Sequence, residues 1–377
     1  MTHHDAAMKP IEERSLTRRN LLRWTAGAAG GVAATASVGR AYATPSTRGP
    51  YLHLRNQDAG ELVIYNWYQP WIAEVAPMFE EETGITVTQL GTYSSNQEWW
   101  AKLNAGEEFD FFIPTTDWVQ RAVAAELMTP LDLEQIPNAA NIMADYQEVE
   151  YYRRDDDVYA IPFFRLNYSL TYNTETFPEA PTSWGVTWNE EYEGQITLQD
   201  QAFARVGITA LLLDDDPLNP TKWDEITEML REQRPLVQKY WVDYQNGMEL
   251  FVNEEVVVGQ LTDGRTRNAQ DVGAPVNWTV PEEGALVFID TFGIPKTSKN
   301  PENAHTFIDF LLRPDISLLE MRGMRYDTLN QAAYDELSEE ERTAFATPEG
   351  ANLILVPDLT AEVRTRIDET WNEVKLA

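Results

Sequence analysis

Short apolar runs alternate along this chain with stretches of helical period. Leu62-Val63-Ile64-Tyr65 is a run of the kind that makes a buried strand. Residues 71–79 follow as a helix, with Ile72, Val75, Met78 and Phe79 on one face, Pro77 as an interruption and Gly84 as the C-terminal stop. A second strand is predicted over 85–88, a second helix over 95–104 and a third strand over 109–113. Further along, 159–163 and 169–173 are strand-like. Thr221 opens a helix with Asp224 in the capping-box position, and Trp223, Ile226, Met229, Leu230, Leu236 and Val237 fall near one stripe. Residues 256–261 predict another buried strand. Asn300-Pro301 predicts a helix start whose apolar face is Phe307, Ile308, Phe310 and Leu311. Val363, Ile367, Trp371 and Val374 mark a closing helix. Strands alternating with helices imply α/β architecture with largely parallel sheets, and no repeat with a period of about 20–50 residues is present.

Size turns this pattern into more than one unit. The chain has 377 residues, and single cores stop growing near about 250–300. Charge narrows the partners: 61 Asp+Glu against 29 Lys+Arg give a formal net charge of -32. Such a surface repels nucleic acid and anionic membranes and attracts cationic solutes. An acidic, Lys-poor surface also suits a salt-rich habitat. With no cysteine, disulfides, thiolate metal sites, a cysteine nucleophile and a lipidated Cys anchor are not expected. The four histidines are His3, His4, His53 and His305, too scattered for a zinc enzyme. We therefore expect neither a metal nor a cofactor.

The N-terminus sets the expected compartment. Ser15-Leu16-Thr17-Arg18-Arg19-Asn20-Leu21-Leu22 reads as a twin-arginine export signal. An Ala/Gly-rich stretch from Trp24 to Val38 follows, and Ala41-Tyr42-Ala43 has the small-x-small form of a cleavage site. Residues 1–43 thus predict a removed leader, 44–60 a flexible lead-in, and the mature protein a place outside the cytoplasm.

From Leu62 to Val374 the order of motifs resembles the spermidine/putrescine-binding components of bacterial ABC transporters. The carrying segments include Val63-Ile64-Tyr65-Asn66-Trp67, Phe79-Glu80-Glu81-Glu82-Thr83-Gly84-Ile85-Thr86-Val87 and Phe109-Asp110-Phe111-Phe112-Ile113-Pro114-Thr115. Others are Tyr159-Ala160-Ile161-Pro162-Phe163, Ile289-Asp290 and Tyr326-Asp327-Thr328-Leu329-Asn330. The resemblance implies a two-lobed, type II periplasmic-binding-protein fold, with two mixed sheets flanked by helices and a hinge between them. Lobe 1 would hold 60–164 and 290–330, and lobe 2 165–289 and 331–377. It also implies a monomer that closes on a small cationic solute and docks on the membrane permease of an ABC transporter.

An organic ammonium needs a carboxylate partner and apolar or aromatic walls, because an unpaired buried charge costs several kcal/mol. An aromatic face adds about 0.5–2 kcal/mol per cation. By resemblance, Trp67 stacks on the ligand and Asp290, inside the apolar run Leu286-Val287-Phe288-Ile289, holds an amine. Phe288, Thr115 and Tyr326 match further ligand-facing positions. Tyr68 and Gln69 follow Trp67, with Gln69 where the family often has an acid. Asp200 survives from a family acidic pair, while Arg205 nearby brings the opposite charge. Thr262 replaces a second-lobe Trp and precedes Asp263, and Asp117 stands where an aromatic hydroxyl is common. These departures leave open a shorter amine or a mono-cation with a polar tail.

Three other readings stay in view. Paired carboxylates could serve glycoside cleavage, but no nucleophile elbow, P-loop or His cluster accompanies them, so catalysis is not expected. A ferric-iron carrier would use Tyr65, Tyr68 and Tyr326. An amino acid, sugar or opine carrier would pair Arg205 or Arg265 with a ligand carboxylate.

Overall fold

The computed structural model describes residues 60–67, 71–147 and 149–377. The expected leader, nearly all of the lead-in, Tyr68 and Gln69 lie outside them.

Strand β1 (Glu61–Trp67) enters helix α1 (Ile72–Thr83), which returns to β2 (Thr86–Tyr93), and the two strands pair in parallel. α1 buries Ile72, Val75 and Phe79. Pro77 sits on its exposed face together with Ala73, so the carbonyl that loses its donor can turn to water. Gly84 ends the helix at φ 78°, where its N–H bonds the Glu80 carbonyl at 2.9 Å. The strand expected over 109–113 is an extended segment joined by single bridges. Its backbone is divided between Ile64 of β1 on one side and Gly293 and Asp290 on the other. Asp110 anchors that segment: its carboxylate accepts from Val63 N, Ser298 Oγ, and the backbone N–H groups of Lys299 and Asn300 at 2.8–2.9 Å. Helices α2 (Asn96–Asn104) and α3 (Thr116–Ala124) complete this part.

Strand β3 (Ala160–Asn173) is 14 residues long and buried except at Arg165. Its first half pairs antiparallel with a later buried strand, Ala285–Gly293, and its second half pairs with Val258–Thr262 and Val276–Thr279. β3 therefore joins two groups of strands, pairing with the 285–293 strand through its first half and with the 258–262 and 276–279 strands through its second. The second half contains β4 (Ile196–Gln199), α4 (Ala202–Leu212), α5 (Trp223–Gln233), β5 (Val237–Trp241), α6 (Tyr244–Val252), β6 (Val258–Thr262), α7 (Asp263–Asp271), β7 (Val276–Thr279) and β8 (Ala285–Gly293). After β8 come α8 (Pro301–Leu311), α9 (Pro314–Met324), α10 (Gln331–Asp335), α11 (Glu339–Phe345), β9 (Leu353–Leu355) and α12 (Ala361–Leu376). The sheet order is β9-β8-β3-β6-β4-β5. β4 is parallel to both β5 and β6. The observed architecture is thus mixed α/β, with sheets flanked by helices.

Two local expectations change. The capping box at Thr221 does not form; Asp215 instead accepts from the Thr221 and Lys222 N–H groups at 2.8 and 2.9 Å, and helix α5 starts at Trp223. The stripe also stops early. Pro235 disfavours helical continuation before it, so Leu236 lies in a short 3-10 turn and Val237 begins β5. α12 buries Ile367, Trp371 and Val374 against Val206 and Ala210 of α4 and Ile226 and Leu230 of α5. By contrast, Ala333, Leu337 and Phe345 pack with Leu318 and Met321 of α9.

Candidate functional site

Strands β1 and β2 run parallel in one half, and β4, β5 and β6 in the other, and the C-terminal ends of both sets face one cavity. Trp67 ends β1, Tyr93 ends β2, Gln199 ends β4, and Val242 and Asp243 follow β5. Open α/β sheets bind their ligands at this edge. The cavity holds about 480 Å³ and is also lined by Thr115, Asp117, Phe164, Tyr168, Tyr244, Arg265, Phe288, Asp290 and Tyr326.

The acidic end is built on β8. Asp290 is 5% exposed, its backbone bridges Thr115, and its Oδ1 has no hydrogen-bond partner. Burial pushes its pKa well above the ordinary carboxylate value, and the Asp117 charge pushes it further. No ion pair reaches Asp290 among the described residues. Asp117 lies in the first turn of α3, whose N-cap is Thr115. The Thr115 hydroxyl donates to Asp117 and accepts from Asn96 Nδ2 at 2.8 Å. Burial raises the Asp117 pKa to about 6; the Thr115 hydrogen bond and Arg121 offset only part of that. Arg121 is itself held by Asp358 at 3.1 Å.

Aromatic rings make the walls. Trp67 donates its indole N–H to the Ile113 carbonyl at 2.9 Å and meets Tyr93 edge-on at 4.7 Å between ring centroids. The Tyr93 hydroxyl bonds the same carbonyl at 2.7 Å. Phe288 packs on Tyr168 at 4.7 Å, and Tyr326 stacks on Phe164 at 5.0 Å. Gly264 makes room for the Tyr326 ring, since a Cβ there would lie 2.4 Å from it.

Of the residues singled out in the sequence, Trp67, Thr115, Asp117, Asp200, Phe288, Asp290 and Tyr326 line this one cavity. Asp200 is already engaged, accepting from Trp371 Nε1 at 2.7 Å and Lys375 Nζ at 3.2 Å. Thr262 and Asp263 stand behind the wall. Thr262 shares a 2.6 Å hydrogen bond with the Tyr326 hydroxyl. Asp263 pairs with Arg267 at 3.0 Å and accepts from Asn167, all buried. Tyr65, needed by an iron reading, packs in the core under Tyr93 at 4.9 Å. Tyr93, Tyr168, Tyr244 and Trp118 were missed. Tyr93 ends β2, Tyr168 lies on β3, whose two faces are both buried, and Trp118 and Tyr244 lie in the first turns of α3 and α6, so alternation carries no signal for any of them.

A family profile for bacterial extracellular solute-binding proteins matches residues 74–345. The spermidine/putrescine-binding periplasmic protein of Escherichia coli (strain K12) is 28% identical over 75% of this chain and 81% of its own length. The putrescine-binding periplasmic protein PotF of the same organism is 28% identical over 85% and 88%. Among solved structures, the spermidine/putrescine ABC transporter substrate-binding protein PotD from Streptococcus pneumoniae superposes with a TM-score of 0.73 at 25% identity, covering 84% of this chain and 99% of that one.

Proposed function

Because this chain belongs to the family of bacterial extracellular solute-binding proteins, we propose that it captures a polyamine or similar small organic cation outside the cytoplasm and delivers it to an ABC uptake transporter. The observation that carries the reading is Asp290: a carboxylate buried in an aromatic-walled cavity, with an orphan oxygen and no protein cation against it. An unpaired buried charge is unstable, and an ammonium supplied by a guest resolves it. Asp117 provides a second negative group at the same end. Trp67 and Tyr93 offer ring faces and edges to the methylenes and to the cation. Relatives named as spermidine/putrescine-binding and putrescine-binding proteins support the cargo class.

In this reading 1–43 is a twin-arginine leader, the protein acts as a monomer without catalysis, and β3 and β8 are the hinge strands between two lobes. The family resemblance and the sharing of β3 between two groups of strands support the hinge. The test is calorimetry with putrescine and butylamine. Asp290→Asn should weaken both by about tenfold or more, the scale of a charged hydrogen bond. Unchanged affinity would remove Asp290 from the site.

A further inference from the structure

The cavity that holds Asp290 and Asp117 is also lined by an arginine. Arg265, in the first turn of α7, lines the cavity with its guanidinium carbon 6.0 Å from the Tyr244 ring centroid. Its Nε is buried without a partner, and no ion pair to it occurs among the described residues. The acid closest to it in sequence, Asp263, is committed to Arg267. Arg267 is saturated in turn, donating to the carbonyls of Ala344, Arg325 and Phe345 as well.

A second arginine stands behind the cavity wall. Arg205 on α4 is 1% exposed, bonds the Gln260 side chain, forms no ion pair among the described residues, and leaves its Nε unpaired. Gln260 donates onward to Gln199, which lines the cavity, at 3.3 Å. Two acids also line the cavity, Asp200, whose charge acts on Arg205, and Asp243; neither forms an ion pair with Arg265 among the described residues. Asp200 is held by Trp371 and Lys375, and Asp243 caps α6 by accepting from the Asn246 N–H at 3.1 Å. The second ammonium of a diamine would meet like charge here. A carboxylate would meet a planar fork of donors suited to two-point binding.

We propose that the preferred guest is a zwitterion, an ω-amino carboxylate whose ammonium meets Asp290 and Asp117 and whose carboxylate meets Arg265. This rests on the amine reading above and sharpens it, because only the far end of the guest changes.

The test is calorimetry on the purified protein with putrescine, butylamine, butanoate, 4-aminobutanoate and 5-aminopentanoate. At least one amino carboxylate should bind about tenfold or more tighter than putrescine, the scale of a charged hydrogen bond. Arg265→Gln should abolish that advantage while putrescine holds or tightens, and Arg265→Lys should keep part of it. The apo melting point of each variant reports whether it has folded. Should a variant fail to fold, the wild-type ranking of putrescine against the amino carboxylates decides alone. Putrescine binding as tightly as the amino carboxylates, or an unchanged ratio in folded Arg265→Gln, overturns the zwitterion and leaves the amine reading intact. Butanoate binding while both amines fail, or no binding by any of the five, overturns both.

Discussion

Asp117 and Asp290 line the same cavity, and the charge on Asp117 makes Asp290 harder to ionise. Burial raises the Asp117 pKa from its ordinary 3.8 to about 6. A carboxyl with a raised folded-state pKa holds its proton more tightly when folded than when unfolded. Its contribution to stability is therefore greatest at low pH and is lost as pH rises from about 4 through about 6. An ammonium guest needs the ionised form, so binding and proton loss are linked. We predict that amine affinity rises between about pH 5 and pH 7, that binding near pH 6 releases protons, and that Asp117→Asn reduces both trends and leaves the part due to Asp290, whose pKa burial holds well above the ordinary value. Calorimetry in buffers of different ionisation enthalpy measures the released protons. A pH-independent affinity in the wild type would show that Asp117 does not face the cation. At this scale the sequence singled out Asp290, because a lone acid beside Leu286-Val287-Phe288-Ile289 is costly unless it has a task, and the structure places it in the cavity wall. It could not separate Asp263 from Asp290. Both are buried acids beside apolar strands, and the distinction is that Asp263 opens helix α7, which carries Arg267 one turn on as its partner.

Among the elements, the join between β1, the 110–115 segment and α8 depends on Asp110. That carboxylate is 2% exposed and caps the start of α8 while receiving the Val63 N–H across the sheet. Burial works against its charge, yet hydrogen bonds from Val63, Asn300 and Ser298 win and hold its pKa below the ordinary value. Its stabilising effect is thus present at neutral pH and lost as pH falls through that lowered pKa. Asp110→Ala should cost about 2–3 kcal/mol, since it orphans several buried donors at once. Urea unfolding at pH 7 and near pH 3 checks this: the gap between wild type and variant should narrow at the lower pH, and a loss under about 0.5 kcal/mol would contradict it. Helices with a clear apolar stripe, such as α1 and α12, were legible in the sequence because the 3.6-residue period survives in the buried positions. The two crossing strands were legible only as fragments. β3 is buried on both faces over nearly all of its 14 residues, so nothing in its pattern marks where one half of the molecule ends. The end of α5 was over-extended for a different reason: apolar residues continued past Pro235 with the right spacing, although the backbone could not.

At the scale of the whole molecule, charge and site combine into a rate argument. With 61 acidic against 29 basic residues, the surface carries a field that concentrates cations, and such steering changes association rates by about 10–10³. The field acts on the guest's net charge, whereas the cavity acts on where each charge sits. A dication such as putrescine is pulled in by the first, but in the second its second ammonium meets Arg265, with Arg205 buried behind the wall. An ω-amino carboxylate gains little from the field and fits both walls. Salt separates these effects, because screening shortens the field to about 3 Å at 1 M while leaving contacts inside the cavity largely intact. We predict that the association rate of putrescine falls steeply from about 0.01 to about 0.5 M salt and that of 4-aminobutanoate hardly moves. Dissociation rates should change little for either. Stopped-flow tryptophan fluorescence follows both guests, with Trp67 in the cavity wall as the reporter. Parallel salt slopes for the two guests would mean that the surface charge serves solubility alone and has no part in gathering cargo.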